Sequence, residues 1–113
     1  MQKYIHKPHL IEGYKYDLRV YVLVVGISPL RVYVYRDGLA RFATHKYDKP
    51  SDKNASDLFM HLTNYAINKD SEAFVANTDA NHDDVGSKRS LMTVIEGIEA
   101  DYGEEKSEKL QNL

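Results

Sequence analysis

The sequence predicts an α+β fold, and three observations carry that prediction. Runs of β-branched and aromatic residues between Tyr16 and Thr44 are separated by turn-forming pairs. One stretch after Ser87 switches to helical spacing. The segments between these are polar and rich in Asp, Asn, Lys and Ser. At 113 residues, 42% hydrophobic and 28% charged, the chain holds one small core and not two domains. A formal net charge of -2 argues against a nucleic-acid partner, and the absence of cysteine excludes disulfide and thiolate chemistry and fits a reducing compartment. The longest apolar run, Val20 to Val25, is too short to span a bilayer, and no secretory pattern follows Met1. The expectation is an intracellular, soluble, cytoplasmic protein with no membrane partner.

In chain order, Gln2-Lys3-Tyr4-Ile5 reads as a short strand broken by Pro8, and Glu12-Gly13 supplies a turn. An antiparallel β-meander follows, with strands at about 16–26, 30–36 and 39–44. Its loops are Gly26-Ile27-Ser28-Pro29 and the hairpin pair Asp37-Gly38. A two-residue loop at Asp37-Gly38 pairs Arg36 with Leu39 and sets Val34 opposite Arg41; pairing Val25 with Leu30 then brings Asp17, Arg19 and Arg41 onto one face. His45 to Asp57 reads as a loop. Leu58 to Ile67 is ambiguous in period, and Asn68 to Val85 is a second irregular stretch. Leu91, Val94, Ile95, Ile98 and Tyr102 mark a helix over about 88–102 with Gly103 as its stop, and 104–113 reads as a frayed tail.

Lys15, Asp17 and Arg19 open a strand that otherwise reads as core. Ionised side chains inside a sheet call for partners or a charged ligand, whereas the plain alternative is a strand end reaching solvent. With Arg41 beside them, guanidinium forks and a lysine point charge suit a phosphorylated or carboxylate ligand; the residues alone do not choose between these. His61 in a turn can be a base or a structural hydrogen-bonder, and His6, His9, His45 and His82 lack zinc-site spacing. Asp79, Asp83 and Asp84 read as solvated loop acids.

Four ordered motifs then narrow the field: Gln2-Lys3-Tyr4-Ile5, Tyr16-Asp17-Leu18-Arg19, Gly38-Leu39-Ala40-Arg41-Phe42-Ala43-Thr44 and Phe59-Met60-His61-Leu62-Thr63-Asn64-Tyr65, with Gly86-Ser87-Lys88-Arg89 behind them. In these the chain resembles the tubulin tyrosine ligase-like family. The runs Asn64 to Lys69 and Gly86 to Arg89 are most similar to its polyglutamylase branch.

The resemblance implies an ATP-grasp-like fold and an ATP-dependent carboxylate-amine ligase. Such an enzyme phosphorylates a glutamate on the acidic C-terminal tail of tubulin to an acyl phosphate, which the amine of a free glutamate attacks. It implies that Gln2, Lys3, Tyr4 and Ile5 form a hinge strand against adenine, that Lys15, Tyr16, Asp17, Thr63 and Asn64 contact ATP, and that Arg19 is catalytic at the reacting end of the nucleotide. Arg41, Tyr65, Ala66 and Lys88 would bind the amino acid; Ala66 stands where many polyglutamylases have Ser, so only a backbone contact is expected there. The magnesium ligands of the family belong to a downstream Glu-x-Asn type motif not found after Ser87, so Mg2+ is implied with no metal ligand in this segment. Residues 1–113 are accordingly expected to be the central fragment of a catalytic domain, without ligase activity in isolation. The alternatives are a noncatalytic nucleotide- or tubulin-binding remnant and a ligase of the glycylase branch. The resemblance also implies a monomer on the cytoskeleton, in cilia or basal bodies.

Overall fold

The computed structural model describes residues 1–76 and 86–103. Its elements are β1 (Leu10–Ile11), β2 (Tyr14–Ile27), β3 (Leu30–Phe42), α1 (Leu58–His61), α2 (Tyr65–Asn68), β4 (Lys88–Ser90) and α3 (Leu91–Tyr102). The strands form one antiparallel sheet in the order β1-β2-β3-β4. An α+β fold is therefore present, built differently from the expected meander.

The two expected strands at 30–36 and 39–44 are one strand, β3. Asp37-Gly38 makes no hairpin: Gly38 lies opposite Val20, and between the pairs Val20–Gly38 and Val22–Val34 the residues Tyr35, Arg36 and Asp37 face Tyr21 alone. The pair that reads as a turn serves a bulge. A Cβ on Gly38 would collide with the Arg19 carbonyl, so glycine is needed for close backbone approach. The Asp37 carboxylate accepts the Gly38 N–H at 2.7 Å and the Met92 N–H at 3.3 Å, tying the bulge to α3. Arg41 consequently faces Asp17, not Val34. The expected convergence survives the change of register: cross-strand partners share a face, and so do alternate residues of one strand, so Asp17, Arg19 and Arg41 project together.

The remaining turns follow local chemistry. Glu12 and Gly13 have φ of 55° and 85°, the double left-handed geometry that matches strand twist in a two-residue hairpin, and they join β1 to β2. Ser28-Pro29 closes the long hairpin, with Ile27 opposite Leu30. Residues 1–5 are irregular and exposed, so the strand expected at Gln2–Ile5 is not formed; the short N-terminal strand lies beyond Pro8, where an apolar pair can reach β2.

The ambiguous stretch after Asp57 resolves into two single-turn helices, α1 and α2. The expected helix at about 88 begins at Leu91, because Ser90 caps it: its Oγ accepts the Thr93 N–H at 3.1 Å. The three residues before it pair with β3 as β4. Gly103, at φ 82°, ends α3 as expected. The core lies on one face of the sheet, where Ala40 and Phe42 pack with Val94 and Ile98 of α3, flanked by Ile11, Tyr14, Tyr16 and Leu18.

Beyond the bulge the hairpin leaves this core. Val22 and Val34 on one face are 55% and 62% exposed, and Leu23 and Tyr33 on the other are 63% and 58% exposed, so the run expected as a core strand is bare on both sides in this segment. Among the described residues no helix is long and apolar enough to cross a membrane. The acids Asp79, Asp83 and Asp84, with His82, and the tail at 104–113 lie outside the described residues.

Candidate functional site

Strand alternation divides the sheet chemically. Tyr16, Leu18, Ala40 and Phe42 face α3, and Lys15, Asp17, Arg19 and Arg41 face the other way. Lys88 joins the second group as the cross-strand partner of Arg41. Four cations and one carboxylate thus share the face opposite α3, with α1 and α2 at its margins.

Asp17 and Arg41 form a two-pronged pair, with Nε to Oδ1 at 2.9 Å and Nη2 to Oδ2 at 2.5 Å. The pair is partly exposed, the side chains being 19% and 37% accessible for Arg41 and Asp17. The hydrogen bond that Arg41 donates to Asp17 raises the Arg41 pKa further above its ordinary value, opposed by desolvation. Arg41 Nη1 makes no hydrogen bond among the described residues and is the remaining edge for a second anion. Arg19, two residues from Asp17, is exposed.

Lys15 gathers the other segments. Its Nζ donates to the His61 carbonyl at 3.0 Å and lies 5.6 Å from the centre of the Tyr4 ring. Nearby, the Tyr47 hydroxyl donates to the His6 carbonyl at 3.3 Å, and its pKa is pushed up to about 12 by burial first and by Tyr4 second. Gln2, Lys3, Tyr4 and Ile5 are all exposed, Tyr4 lying nearest to the charged face. His61 is occupied structurally: Nε2 lies 2.9 Å from the Asn54 carbonyl.

Thr63 and Asn64 follow α1, and Asn64 occupies the cap position of α2 without a side-chain cap bond. What holds them is Asn68, 1% exposed. Its Oδ1 accepts from Thr44 N–H at 3.1 Å and Thr44 Oγ–H at 2.9 Å, and its Nδ2 donates to the carbonyls of Leu62 at 2.8 Å and Asn64 at 3.0 Å. Asn68 was legible only as part of a motif; the four-residue spacing from Asn64, one helical turn, is the signal that could have marked it.

On the opposite edge Lys88 Nζ sits 4.2 Å from the Tyr65 ring centre, and Tyr65 meets Phe74 edge to face at 5.8 Å. Asp37, Leu39, Tyr65, Phe74, Lys88 and Ser90 line a cleft of about 410 Å3 there. Ala66 is exposed on α2. Phe74, Arg89 and Thr44 also carry this arrangement, and none was distinguished by sequence reasoning.

One expected contact residue points elsewhere. Tyr16 stacks on Phe42 at 5.5 Å on the helix side and its hydroxyl lies 2.9 Å from His9 Nδ1; burial, and then Tyr102, raises its pKa. Only its backbone can serve the charged face. The donor set there suits an anion. Asp17 is already held by Arg41, and among the described residues no group of three His, Asp or Glu could hold a metal ion.

A model of the tubulin-tyrosine ligase family matches residues 1–112. A probable beta-tubulin polyglutamylase of Tetrahymena thermophila is 52% identical over 99 residues, covering 88% of this chain and 8% of its own length. The tubulin polyglutamylase TTLL7 of Mus musculus is 48% identical over 100 residues, 88% of this chain and 11% of its own. The tubulin polyglutamylase TTLL6 of Homo sapiens is 54% identical over 92 residues, 81% of this chain and 10% of its own. The chain spans about a tenth of the length of these curated relatives.

Proposed function

The chain belongs to the tubulin-tyrosine ligase family, and on that premise we propose that it supplies the central part of an ATP-dependent ligase that adds glutamate to glutamates of the tubulin tail. The observation that carries the reading is the clustering of Lys15, Arg19, Arg41 and Lys88 on one sheet face with Asp17 among them. Both ligands of such a reaction are polyanionic, and fixed cations on paired strands need no rearrangement as charge develops.

Lys15 and Asp17 serve the ribose and phosphates of ATP, beside Tyr4 with its neighbours Gln2, Lys3 and Ile5, and beside Thr63 and Asn64. The Tyr16 backbone completes that half. Arg19 faces the reacting end and stabilises the transferring phosphoryl group. Arg41, through Nη1, and Lys88 bind carboxylates of the incoming glutamate between Tyr65 and Ala66. Activation converts a tail carboxylate to an acyl phosphate with release of ADP; attack by the glutamate amine forms the amide and releases phosphate. Mg2+, when bound, would supply charge neutralisation of the triphosphate, with its ligands expected downstream of this segment.

The intact polypeptide that carries this segment acts as a cytoplasmic monomer on microtubules, including those of cilia and basal bodies. Its remaining chain covers the bare hairpin, whose near-continuous apolar runs suit burial on both faces. The test is incubation of the intact polypeptide with ATP, Mg2+, tubulin and labelled glutamate or glycine. Glutamate incorporation is expected. Glycine alone would transfer the protein to the glycylase branch, and neither would leave a noncatalytic nucleotide- or tubulin-binding module.

A further inference from the structure

β4 is three residues long and each residue has a different destination. Lys88 faces the cations and Ser90 caps α3. Arg89, between them, enters the opposite layer: its guanidinium carbon lies 4.3 Å from the centre of the Phe42 ring, Nε donates to the Gly86 carbonyl at 2.9 Å, and Nη1 reaches Glu12 at 3.5 Å. Its side chain is 11% accessible. A charged group so enclosed, with a stacked ring below and a carbonyl at its edge, has little freedom to turn.

We propose that Arg89 is a positioning residue: by locking the pleat of β4 against Phe42, it fixes the direction in which Lys88 leaves the sheet, and so sets the affinity for the dicarboxylate amino acid. The inference rests on the ligase reading for its second half only. Arg89 lies in the other layer of the sheet, so any effect on substrate passes through its neighbour. Without the lock, a strand held by three residues can rotate, and Lys88 loses its place over Tyr65 beside Arg41.

The test uses the intact polypeptide and two readouts. The first is the rate of Lys88 acetylation by isotopic acetic anhydride, read by mass spectrometry without ligands. Arg89→Met should raise it about fivefold, the factor expected from losing one exposed cation–π contact. The second is steady-state kinetics: Arg89→Met should raise the glutamate KM about fivefold with the ATP KM unchanged. Adding it to Lys88→Met should cause no further rise. Arg89→Lys keeps charge over Phe42 but loses the fork to Gly86 and Glu12, and gives smaller rises in both readouts; it serves if the Met variant does not accumulate. Unchanged Lys88 labelling, equal rises in both KM values or additive effects in the double variant would overturn the proposal. If Lys88→Met leaves the glutamate KM unchanged while Arg89→Met alters labelling, the amino-acid site is misassigned and the mechanical link between the two residues stands.

Discussion

Asn68→Asp is a change of one atom type in a side chain whose four hydrogen bonds are all accounted for. The acceptor half, toward the Thr44 N–H and Oγ–H, is retained. The donor half becomes a second acceptor facing the carbonyls of Leu62 and Asn64. Two neutral hydrogen bonds lost at about 1 kcal/mol each, with buried carbonyls left unmatched, give a local cost of about 2–4 kcal/mol. That corresponds to amide exchange roughly 30- to 700-fold faster across 62–68 and at Thr44, measured by hydrogen exchange of the intact polypeptide at neutral pH. The sign of the pH dependence follows from burial. A carboxyl in this setting has its folded pKa raised, so its neutral form, which can donate to one of the two carbonyls, is favoured at low pH, and the deficit grows as pH rises through that raised value. Asn68→Ala, which loses the side-chain bonds without gaining a charge, should show a deficit independent of pH. Exchange within twofold of the parent, or an Asp variant as indifferent to pH as the Ala variant, would refute the claim that Asn68 holds the connection from Leu62 to Asn64.

Three further outcomes are expected. Arg41→Ala should raise the glutamate KM about 10- to 100-fold, whereas Arg19→Ala should lower kcat about 100- to 1,000-fold; the reverse pattern in steady-state assays would exchange their roles. The isolated 113-residue chain should ligate nothing and self-associate through its bare hairpin, an effect relieved by Val22→Lys with Val34→Glu; a monodisperse parent at about 100 µM by light scattering would contradict this. Asp57 accepts from the N–H groups of Phe59 and Met60 and pairs with His45 at 2.9 Å, so Asp57→Ala should cost about 1 kcal/mol of local stability. Those bonds hold its pKa below the ordinary 3.8, the His45 hydrogen bond first, so the stability they add is full above that value and is lost as pH falls through the lowered one. Exchange protection of 45–61 that stays flat from about pH 6 to about pH 3 would count against it.

The parts legible in the sequence were those governed by local chemistry with a long repeat or a strong turn. Leu91, Val94, Ile95 and Ile98 announce α3, and Glu12-Gly13 announces the first hairpin. Asp37-Gly38 misled because the preferences that favour a tight turn also favour close backbone approach at a bulge; the Arg19 carbonyl that selects glycine is 19 positions away in the chain. β4 was missed because three residues are too few for a period. The face of Tyr16 was available from alternation alone: the parity that groups Lys15, Asp17 and Arg19 sends Tyr16 to the other layer. The joining of Asp17 to Arg41 was not, since it required the register that the bulge sets.

The triplet Lys88-Arg89-Ser90 carries a constraint of length as well as of identity. One residue inserted or removed between Gly86 and Ser90 would exchange the inward and outward positions and displace the helix cap with them. The loop from His45 to Asp57 can take up an added residue by bowing into solvent, because no pleat counts its members. Two parts of the same small segment thus differ sharply in the histories of insertion and deletion they can survive: in one, parity is free, and in the other it is the information.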